Sequence, residues 1–299
     1  AYRDGGNSSY GTAIVGTVSG TSISFGSAVV FDSESVDNIS VTFDSSSNKV
    51  VTSYRRTSAS NFGTAIVGTV SGTSISFGSE VDFFANSGGA TDMSSVFNTS
   101  TNKVMLAYRE GQLGGLELVL GTVSGTSISF GTAVVFATGA INSYADLSRP
   151  TYDPTNQNFV LAYRDSGTPS NTGNRYGKYV VGTVSGTSIS FGNALTFESA
   201  KSEWISAAYD AASQKTVIAY QDDANSQYGA AIVYQPNTLT RAEVADGDNA
   251  VVDIGSAIST NQVGLTAGQQ YFVQTGGTLG LTAADPSVIA GTAISATEI

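Results

Sequence analysis

Arginine recurs at one position of a repeated motif and is the first candidate for binding chemistry. The motif is a Tyr-Arg pair, and its arginines are Arg3, Arg55, Arg109 and Arg164. A ring of guanidinium groups at one end of a repeat protein could hold an anionic sugar or a carboxylate through paired hydrogen bonds. The recurring acids that could pair with them are Asp4, Glu110, Asp165, Asp44 and Asp153. We favour ion pairs between neighbouring repeats, with ligand binding as the alternative.

Aromatic side chains are the second candidate, because they can stack on sugar rings. The one tryptophan, Trp204, stands in KSEWISAAYD just before a predicted strand. It is either an exposed glycan platform or a core residue of its own repeat, and both readings stay open. A recurring tyrosine lies beside apolar strand positions, so we expect it to pack in the core. Its copies are Tyr54, Tyr108, Tyr163 and Tyr220.

Missing residue types exclude much of enzyme chemistry. The chain contains no cysteine and no histidine, so Cys or His zinc sites and Ser-His-Asp triads cannot form within it. The run 246–249, DGDN, begins like a calcium loop, but Ala250 and Val251 stand where an EF-hand needs a ligand and a glycine. We read that run as a turn. Scattered Asp and Glu residues leave a glycoside-hydrolase pair open, but the sequence implies no metal, no cofactor and, in our interpretation, no enzyme.

Charge and composition limit the partners and the fold class. The net charge of -11 repels phosphate backbones and anionic lipids, so we expect no nucleic acid and no membrane insertion. No apolar run approaches the roughly 20 residues that span a bilayer. Abundant Ser, Thr and Gly with short β-branched and aromatic groups predict an all-β fold.

One phrase, GTVSGTSISFG, occurs four times without a change. The copies lie at 16–26, 68–78, 121–131 and 182–192. We call this phrase the refrain. A spacing of about 52 residues is typical of β-propeller blades. Within the first copy, Gly20 predicts a tight turn with positive φ, and Gly26 a close approach of backbones. The predicted buried contacts of this copy are Val18, Ile23 and Phe25.

Each repeat divides into four strand-like segments. A polar turn rich in Asp, Asn and Ser precedes the second segment, which is almost continuously apolar, as in KVMLAYRE, and is therefore predicted to be covered on both faces. The predicted whole blades are about 36–83, 90–136 and 145–197, with a partial blade on either side. Residues 1–236 are thus predicted to form a β-propeller-like array of four-stranded blades. A β-solenoid or a row of small sandwiches is the alternative.

The pattern changes after Pro236. Residues 237–299 lack the refrain and show short strand-like segments with Gly-rich turns, which predict a small β-barrel or β-sandwich. A unit of about 60 residues is marginal by itself. We therefore expect this unit to pack against the repeat domain or against copies of itself. We expect the chain to form a homo-oligomer, for which a trimer is one option.

The repeat and the C-terminal segment resemble one family. The unit YDxxxxKVVIAYRD…GTAIVGTVSGTSISFG is similar to repeats in structural proteins of tailed bacteriophages, in particular cyanophages and other marine phages, of the tail-fibre type. The segment GLTAGQQYFVQTGGTLG…PSVIAGTAISATEI resembles the module that closes such chains. The resemblance covers essentially the whole sequence and brings no catalytic motif. Gln221 departs from it, standing where the motif has arginine.

The sequence and the resemblance together predict a non-enzymatic virion protein, located outside the cell in a tail fibre, whisker or other appendage. Its expected partners are other virion proteins and a host-surface glycan or receptor. The alternatives are a capsid or tail decoration protein with an oligomerising C-terminal module, and a glycan-degrading enzyme on a propeller scaffold. The candidate ligand-binding residues are Arg3, Arg55, Arg109, Arg164 and Trp204.

Overall fold

The chain is built from antiparallel β-sheets. The computed structural model describes residues 1–58, 61–86, 88–111, 115–137, 147, 150–165, 175–234, 270–273, 279–280 and 289–292. These residues contain strands and no helix, and every pair of neighbouring strands is antiparallel. The all-β prediction is confirmed. Contacts divide the chain into two compact units, Ala1–Pro236 and Asn237–Ile299.

The first unit contains five successive repeats of strands. Repeat 1 (1–35) has β1 (Tyr2–Asp4), β2 (Tyr10–Ala13), β3 (Gly16–Ser19), β4 (Ser22–Phe25) and the beginning of β5 (Val29–Asp44). Repeat 2 (36–84) has the rest of β5, then β6 (Lys49–Arg56), β7 (Phe62–Ser71), β8 (Ser74–Phe77) and β9 (Val81–Phe84). Repeat 3 (90–137) has β10 (Ala90–Asn98), β11 (Lys103–Glu110), β12 (Leu116–Ser124), β13 (Ser127–Phe130) and β14 (Val134–Ala137). Repeat 4 (147–201) has β15 (Thr151–Asp153), β16 (Asn158–Asp165), β17 (Tyr176–Ser185), β18 (Ser188–Phe191) and the beginning of β19 (Leu195–Asp210). Repeat 5 (202–234) has the rest of β19, β20 (Lys215–Asp222) and β21 (Tyr228–Tyr234).

A full repeat is an antiparallel meander with four strand positions. In repeat 2, β5 pairs with β6 and β6 with β7. The fourth position is divided, because one half of β7 pairs with β8 and the other half with β9. The strands β5 and β19 are each 16 residues long and run without a break from the fourth position of one repeat to the first position of the next.

A side chain at the end of the first strand closes the turn that follows it. Asp44 Oδ1 accepts hydrogen bonds from the backbone N–H of Ser46 at 2.9 Å and of Ser47 at 3.1 Å. Asn98 does the same in repeat 3 and Asp153 in repeat 4. The residue before the second strand then takes a positive φ, 55° at Asn48. The predicted polar turns are therefore found, and their acids are used locally.

Neighbouring sheets pack face to face, since a strand buried on both faces sends alternate side chains to opposite sides. In β11, Val104 joins an apolar cluster with Val51 of repeat 2, whereas Met105 joins one with Phe159 of repeat 4. In β16, Val160 joins Ile218 of repeat 5. In repeats 2 to 4 the second strand is thus the centre of the packing, as its apolar sequence predicted, whereas in repeats 1 and 5 the second strand leaves side chains exposed.

A phenylalanine from the fourth strand position makes the same ring contacts at three successive junctions. It packs on the tyrosine of the second strand and on the refrain phenylalanine of the following repeat, and Phe31 lies 5.0 Å from Tyr54 and 5.6 Å from Phe77 between ring centroids. The other two sets are Phe83 with Tyr108 and Phe130, and Phe136 with Tyr163 and Phe191. At the junction of repeats 4 and 5, Phe197 lies 4.9 Å from Tyr220.

The refrain hairpins stack on one another. In each copy the turn glycine has a positive φ, 59° at Gly20, as predicted. In the first two copies the last glycine lies under the turn of the next copy, so that a Cβ on Gly26 would stand 2.0 Å from the carbonyl oxygen of Thr73. At Gly78 the corresponding distance, to the Thr126 oxygen, is 1.9 Å. Identical sequences therefore meet each other directly, which gives a structural reason for part of their identity.

The predicted burial of the refrain side chains is wrong for the first copy. Val18 is 72%, Ile23 54% and Phe25 61% exposed, whereas Ile128 in the third copy is 3% exposed. The difference arises because these side chains face the preceding repeat, and repeat 1 has no described repeat before it. The local sequence determines the hairpin, but the burial of its side chains depends on the repeat that packs against them.

The second unit is described at three strands. They are β22 (Gln270–Val273), β23 (Leu279–Gly280) and β24 (Ile289–Thr292). β22 lies between the other two in an antiparallel sheet. The predicted small barrel or sandwich stays a prediction.

Candidate functional site

A β-bulge near the beginning of the first strand organises the candidate residues. The strand register shifts at the same place in three repeats, between Asp37 and Ser40 in repeat 2 and at the equivalent positions of repeats 3 and 5. A residue with positive φ occupies each bulge: Asn38 at 50°, Asp92 at 51° and Trp204 at 55°. Asn and Asp adopt this conformation readily, whereas a bulky side chain is strained in it.

Each of the first two bulges holds a carboxylate against the arginine of the neighbouring second strand. Arg55 donates to both carboxylate oxygens of Asp37, with Nε to Oδ1 at 2.6 Å and Nη2 to Oδ2 at 2.5 Å. Arg109 Nε donates to Asp92 Oδ2 at 2.8 Å. Both pairs lie within one sheet, and the two-point guanidinium–carboxylate contact of Arg55 with Asp37 gives that pair a fixed geometry.

Charges from two repeats converge on Asp37. Burial by itself would raise the pKa of this carboxyl group, but hydrogen bonds from Arg55 and Asn38 outweigh that effect. The positive charges of Arg55 and of Arg3, in the preceding repeat, act in the same direction, so the pKa of Asp37 lies below its ordinary value. The exposed Arg3 thus contributes through its charge to the site of the next repeat.

The fourth arginine pairs across a junction. Arg164 of repeat 4 is 3% exposed, and its Nη1 lies 3.1 Å from Glu203 Oε1 of repeat 5. The same oxygen lies 3.3 Å from Arg175 Nη1 and 3.1 Å from Lys201 Nζ. One carboxylate therefore meets three cations immediately before Trp204.

The predicted arginine pairs are correct in kind but wrong in most partners. Among the described pairs of these four arginines, the pair of Arg164 with Glu203 joins two repeats, whereas Arg55 and Arg109 pair with Asp37 and Asp92 of their own repeats. Four of the five acids named from the sequence are engaged elsewhere. Asp44 and Asp153 close turns, Asp4 accepts from the N–H of Gly6, Asp165 pairs with Lys178 and Glu110 is buried.

The recurring tyrosines are core residues, as predicted. Tyr54 and Tyr108 are fully buried, Tyr163 is 3% and Tyr220 8% exposed. Burial raises the pKa of Tyr163 to about 12, and the charge of Asp165 adds to the effect. Tyr108 also donates to Glu117 Oε2 at 2.6 Å. These side chains hold junctions together and are not presented to a ligand.

Trp204 has a different environment. Its side chain is 75% exposed, which is the highest value among the exposed large apolar residues in the part of the chain that the structure describes. The sequence did not decide whether Trp204 is an exposed glycan platform or a core residue. The structure places Trp204 at the surface of repeat 5, on a strained backbone. No sequence signal distinguished the bulge, because Asn38, Asp92 and Trp204 share no residue type, although the alignment of ISVTFD with ISAAYD could have indicated their equivalence.

Among the described residues, no group of three or more Asp or Glu side chains could hold a metal ion. The run 246–249 lies outside the described residues. No helix long and apolar enough to cross a membrane occurs in the part of the chain that the structure describes. In comparisons with known proteins, no family model and no curated protein matches the chain.

Proposed function

We propose that this chain is a non-enzymatic virion structural protein of a tailed bacteriophage, part of a tail fibre, whisker or other appendage, and that it contributes to host attachment. The resemblance of the repeat and of the C-terminal segment to such proteins supports the proposal. The succession of packed sheets also supports it, because a rigid scaffold holds surface residues at fixed positions.

In this proposal the repeat domain is a propeller-like array. Four strand positions in each full repeat and shared cores between consecutive sheets support that arrangement. First strands of successive repeats also lie side by side, since Ser40 Oγ and Ser95 Oγ are 2.9 Å apart and Asp92 N donates to Asn38 Oδ1 at 3.1 Å. In propellers, the first strands of the blades lie side by side around a common axis.

The conformation of Trp204 is the observation that carries the attachment role. A left-handed backbone costs an ordinary residue about 1–2 kcal/mol, and Asn or Asp stands at the equivalent bulges. The chain instead places its one tryptophan there, largely in solvent. Strained residues of this kind cluster at functional sites, and an exposed indole provides a flat apolar surface on which a sugar ring can stack.

The experiment compares Trp204→Asn with the wild-type chain on a glycan array and in a pull-down with host cells. Asparagine is the residue of the equivalent bulge in repeat 2, so the variant relieves strain and should unfold at the same or a higher urea concentration. Tyr228→Asn is the matched control, since Tyr228 is 65% exposed in the same repeat.

The proposed role requires Trp204→Asn to lose binding to glycan and cells while Tyr228→Asn keeps it. Equal binding by both variants would show that attachment does not use Trp204. Absence of any binding by the wild-type chain would remove the attachment role and leave a structural one.

A further inference from the structure

The first-strand bulge that carries Trp204 differs from the other two described bulges in how its carboxylate is held. An arginine–carboxylate pair lies at each of the three. The pairs are Asp37 with Arg55, Asp92 with Arg109, and Glu203 with Arg164. In repeats 2 and 3 the arginine stands on the neighbouring strand of the same repeat, whereas the arginine of the third pair belongs to the preceding repeat.

The sequence of repeat 5 explains this exchange of partners. Glu203 is paired in strand register with Gln221, at the position where Asp37 is paired with Arg55. Because Gln221 has no charge, the neighbouring strand offers Glu203 no guanidinium group at that position. Arg164 of repeat 4 supplies one instead, with Nη1 at 3.1 Å from Oε1.

Two more cations occupy positions that are uncharged in repeats 1 and 2. Arg175 and Lys201 stand where those repeats have Ser9 and Ser35, and both cationic side chains reach Glu203 Oε1, at 3.3 Å and 3.1 Å. Matching backbone hydrogen bonds show the equivalence: Ser202 N to Arg175 O corresponds to Val36 N to Ser9 O, and Asp223 N to Lys201 O corresponds to Thr57 N to Ser35 O.

Trp204 needs a firmer anchor than the residues at the other two bulges. Asn38 and Asp92 tolerate a positive φ, whereas a bulky residue such as Trp204, at 55°, is strained by it. On one side of Trp204, Ile205 is 7% exposed and lies in the apolar cluster shared by repeats 4 and 5. On the other side, Glu203 is held by its three cations. Trp204 therefore lies between two fixed neighbours and cannot return to an extended backbone unless one of them is released.

We propose that Arg164 and Glu203 are positioning residues for Trp204, and that their ion pair across the junction of repeats 4 and 5 holds the bulge in the form that turns the indole into solvent. The inference rests on the proposed function in one respect, since attachment is the reason for presenting the indole. Its test contains no ligand, so a failure of positioning is distinguishable from a failure of attachment.

Trp204 is the one tryptophan of the chain, so its fluorescence reports on the bulge directly. We expect the wild-type chain to show the emission of a solvent-exposed indole and strong quenching by acrylamide, which is uncharged and therefore insensitive to the charges of the variants. Arg164→Gln should shift the emission to shorter wavelength and lower the quenching constant, because the strand relaxes and the apolar indole settles on the protein surface. Glu203→Gln should give the same change, and it provides the test if Arg164→Gln, which alters a buried side chain, does not fold.

A second substitution should rescue the first. Gln221→Arg in the Arg164→Gln background should restore the wild-type emission and quenching, because it gives repeat 5 the pair that Arg55 makes with Asp37. The same addition should not rescue Glu203→Gln, which lacks the carboxylate.

Arg109→Gln is the matched control, since it removes the corresponding arginine of repeat 3 and should leave the emission and quenching of Trp204 unchanged. Wild-type emission and quenching in Arg164→Gln and Glu203→Gln would overturn the proposal. So would an equal change in Arg109→Gln, which would indicate a general loosening of the fold.

Discussion

The last glycine of the refrain offers a test in which the sequence is constant and only the tertiary neighbour changes. Gly78 and Gly192 end two copies of the same eleven residues, and neither has a positive φ. A Cβ on Gly78 would lie 1.9 Å from the Thr126 oxygen, whereas a Cβ on Gly192 would meet nothing closer than the Val181 oxygen at 3.7 Å. We predict that Gly78→Ala destabilises the chain and that Gly192→Ala does not.

The magnitude follows from the distance that must be opened. Ordinary contacts of a Cβ begin near 3.4 Å, so the hairpins joined at Gly78 must separate by roughly 1.5 Å, which is a severe overpacking. Overpacking costs about 1–3 kcal/mol, and the upper end applies because the atom that is met belongs to the backbone and cannot rotate away. Gly192→Ala should leave stability unchanged or raise it by up to about 1 kcal/mol, since alanine lowers the entropy of the unfolded chain.

Urea denaturation at low protein concentration measures both effects, with the free energy of unfolding extrapolated to water. The remaining two copies extend the series. Gly26→Ala should behave like Gly78→Ala, because a Cβ on Gly26 would lie 2.0 Å from the oxygen of Thr73. Gly131→Ala should behave like Gly192→Ala, because the nearest atom to a Cβ on Gly131 would be the Thr187 oxygen at 3.8 Å. Equal free energies of unfolding for Gly78→Ala and Gly192→Ala would refute the stacking of the refrain hairpins.

Three further predictions concern the pH dependence, the turns and the contact between first strands. Because the pKa of Tyr163 is raised to about 12 and an unfolded tyrosine titrates near 10, the free energy of unfolding should fall as pH rises from about 10 to 12. Urea titrations of Tyr163→Phe should show a shallower fall over that range. An unchanged slope would contradict the assignment of this effect to Tyr163. Asp44→Ala should cost about 1 kcal/mol by removing the acceptor of two backbone N–H groups, whereas Asp44→Asn should cost less, since Asn98 closes the same turn in repeat 3; equal losses in urea denaturation would count against the turn geometry. Ser40→Ala should cost about 1–3 kcal/mol, because Ser40 Oγ is buried, contacts Ser95 Oγ at 2.9 Å and accepts from Ser95 N at 3.1 Å; a thermal melt identical to the wild type would show that the contact contributes nothing.

Much of the repeat could be predicted from local sequence. The polar turn at Asp44 and the hairpin turn at Gly20 depend on side-chain acceptors and on glycine, which act over a few residues. The second strand is almost continuously apolar, as in KVMLAYRE. A strand of this kind has no polar face that could be exposed to solvent, so its sequence predicted burial. These features appeared where the sequence placed them.

The candidate site could be predicted less well from the local sequence. Arg55, Arg109 and Arg164 were identified correctly as members of ion pairs. Their carboxylates stand at a bulge of another strand, the preceding one for Asp37 and Asp92 and a later one for Glu203, and no motif marks that bulge. Asp37 and Glu203 reach their arginines only because the register shifts there by a β-bulge. The same shift turns Trp204 outward, so its exposure could not be read from the letters around it.

The sequence by itself determined the strands, the turns and the order of the repeats, because hydrogen-bonding and steric preferences of neighbouring residues suffice for these. Tertiary structure alone decided which copy of an identical residue is buried. Ile23 and Ile128 have the same neighbours in sequence, yet they are 54% and 3% exposed. The physical reason is that burial is a property of the surface packed against a side chain, and that surface belongs to another repeat.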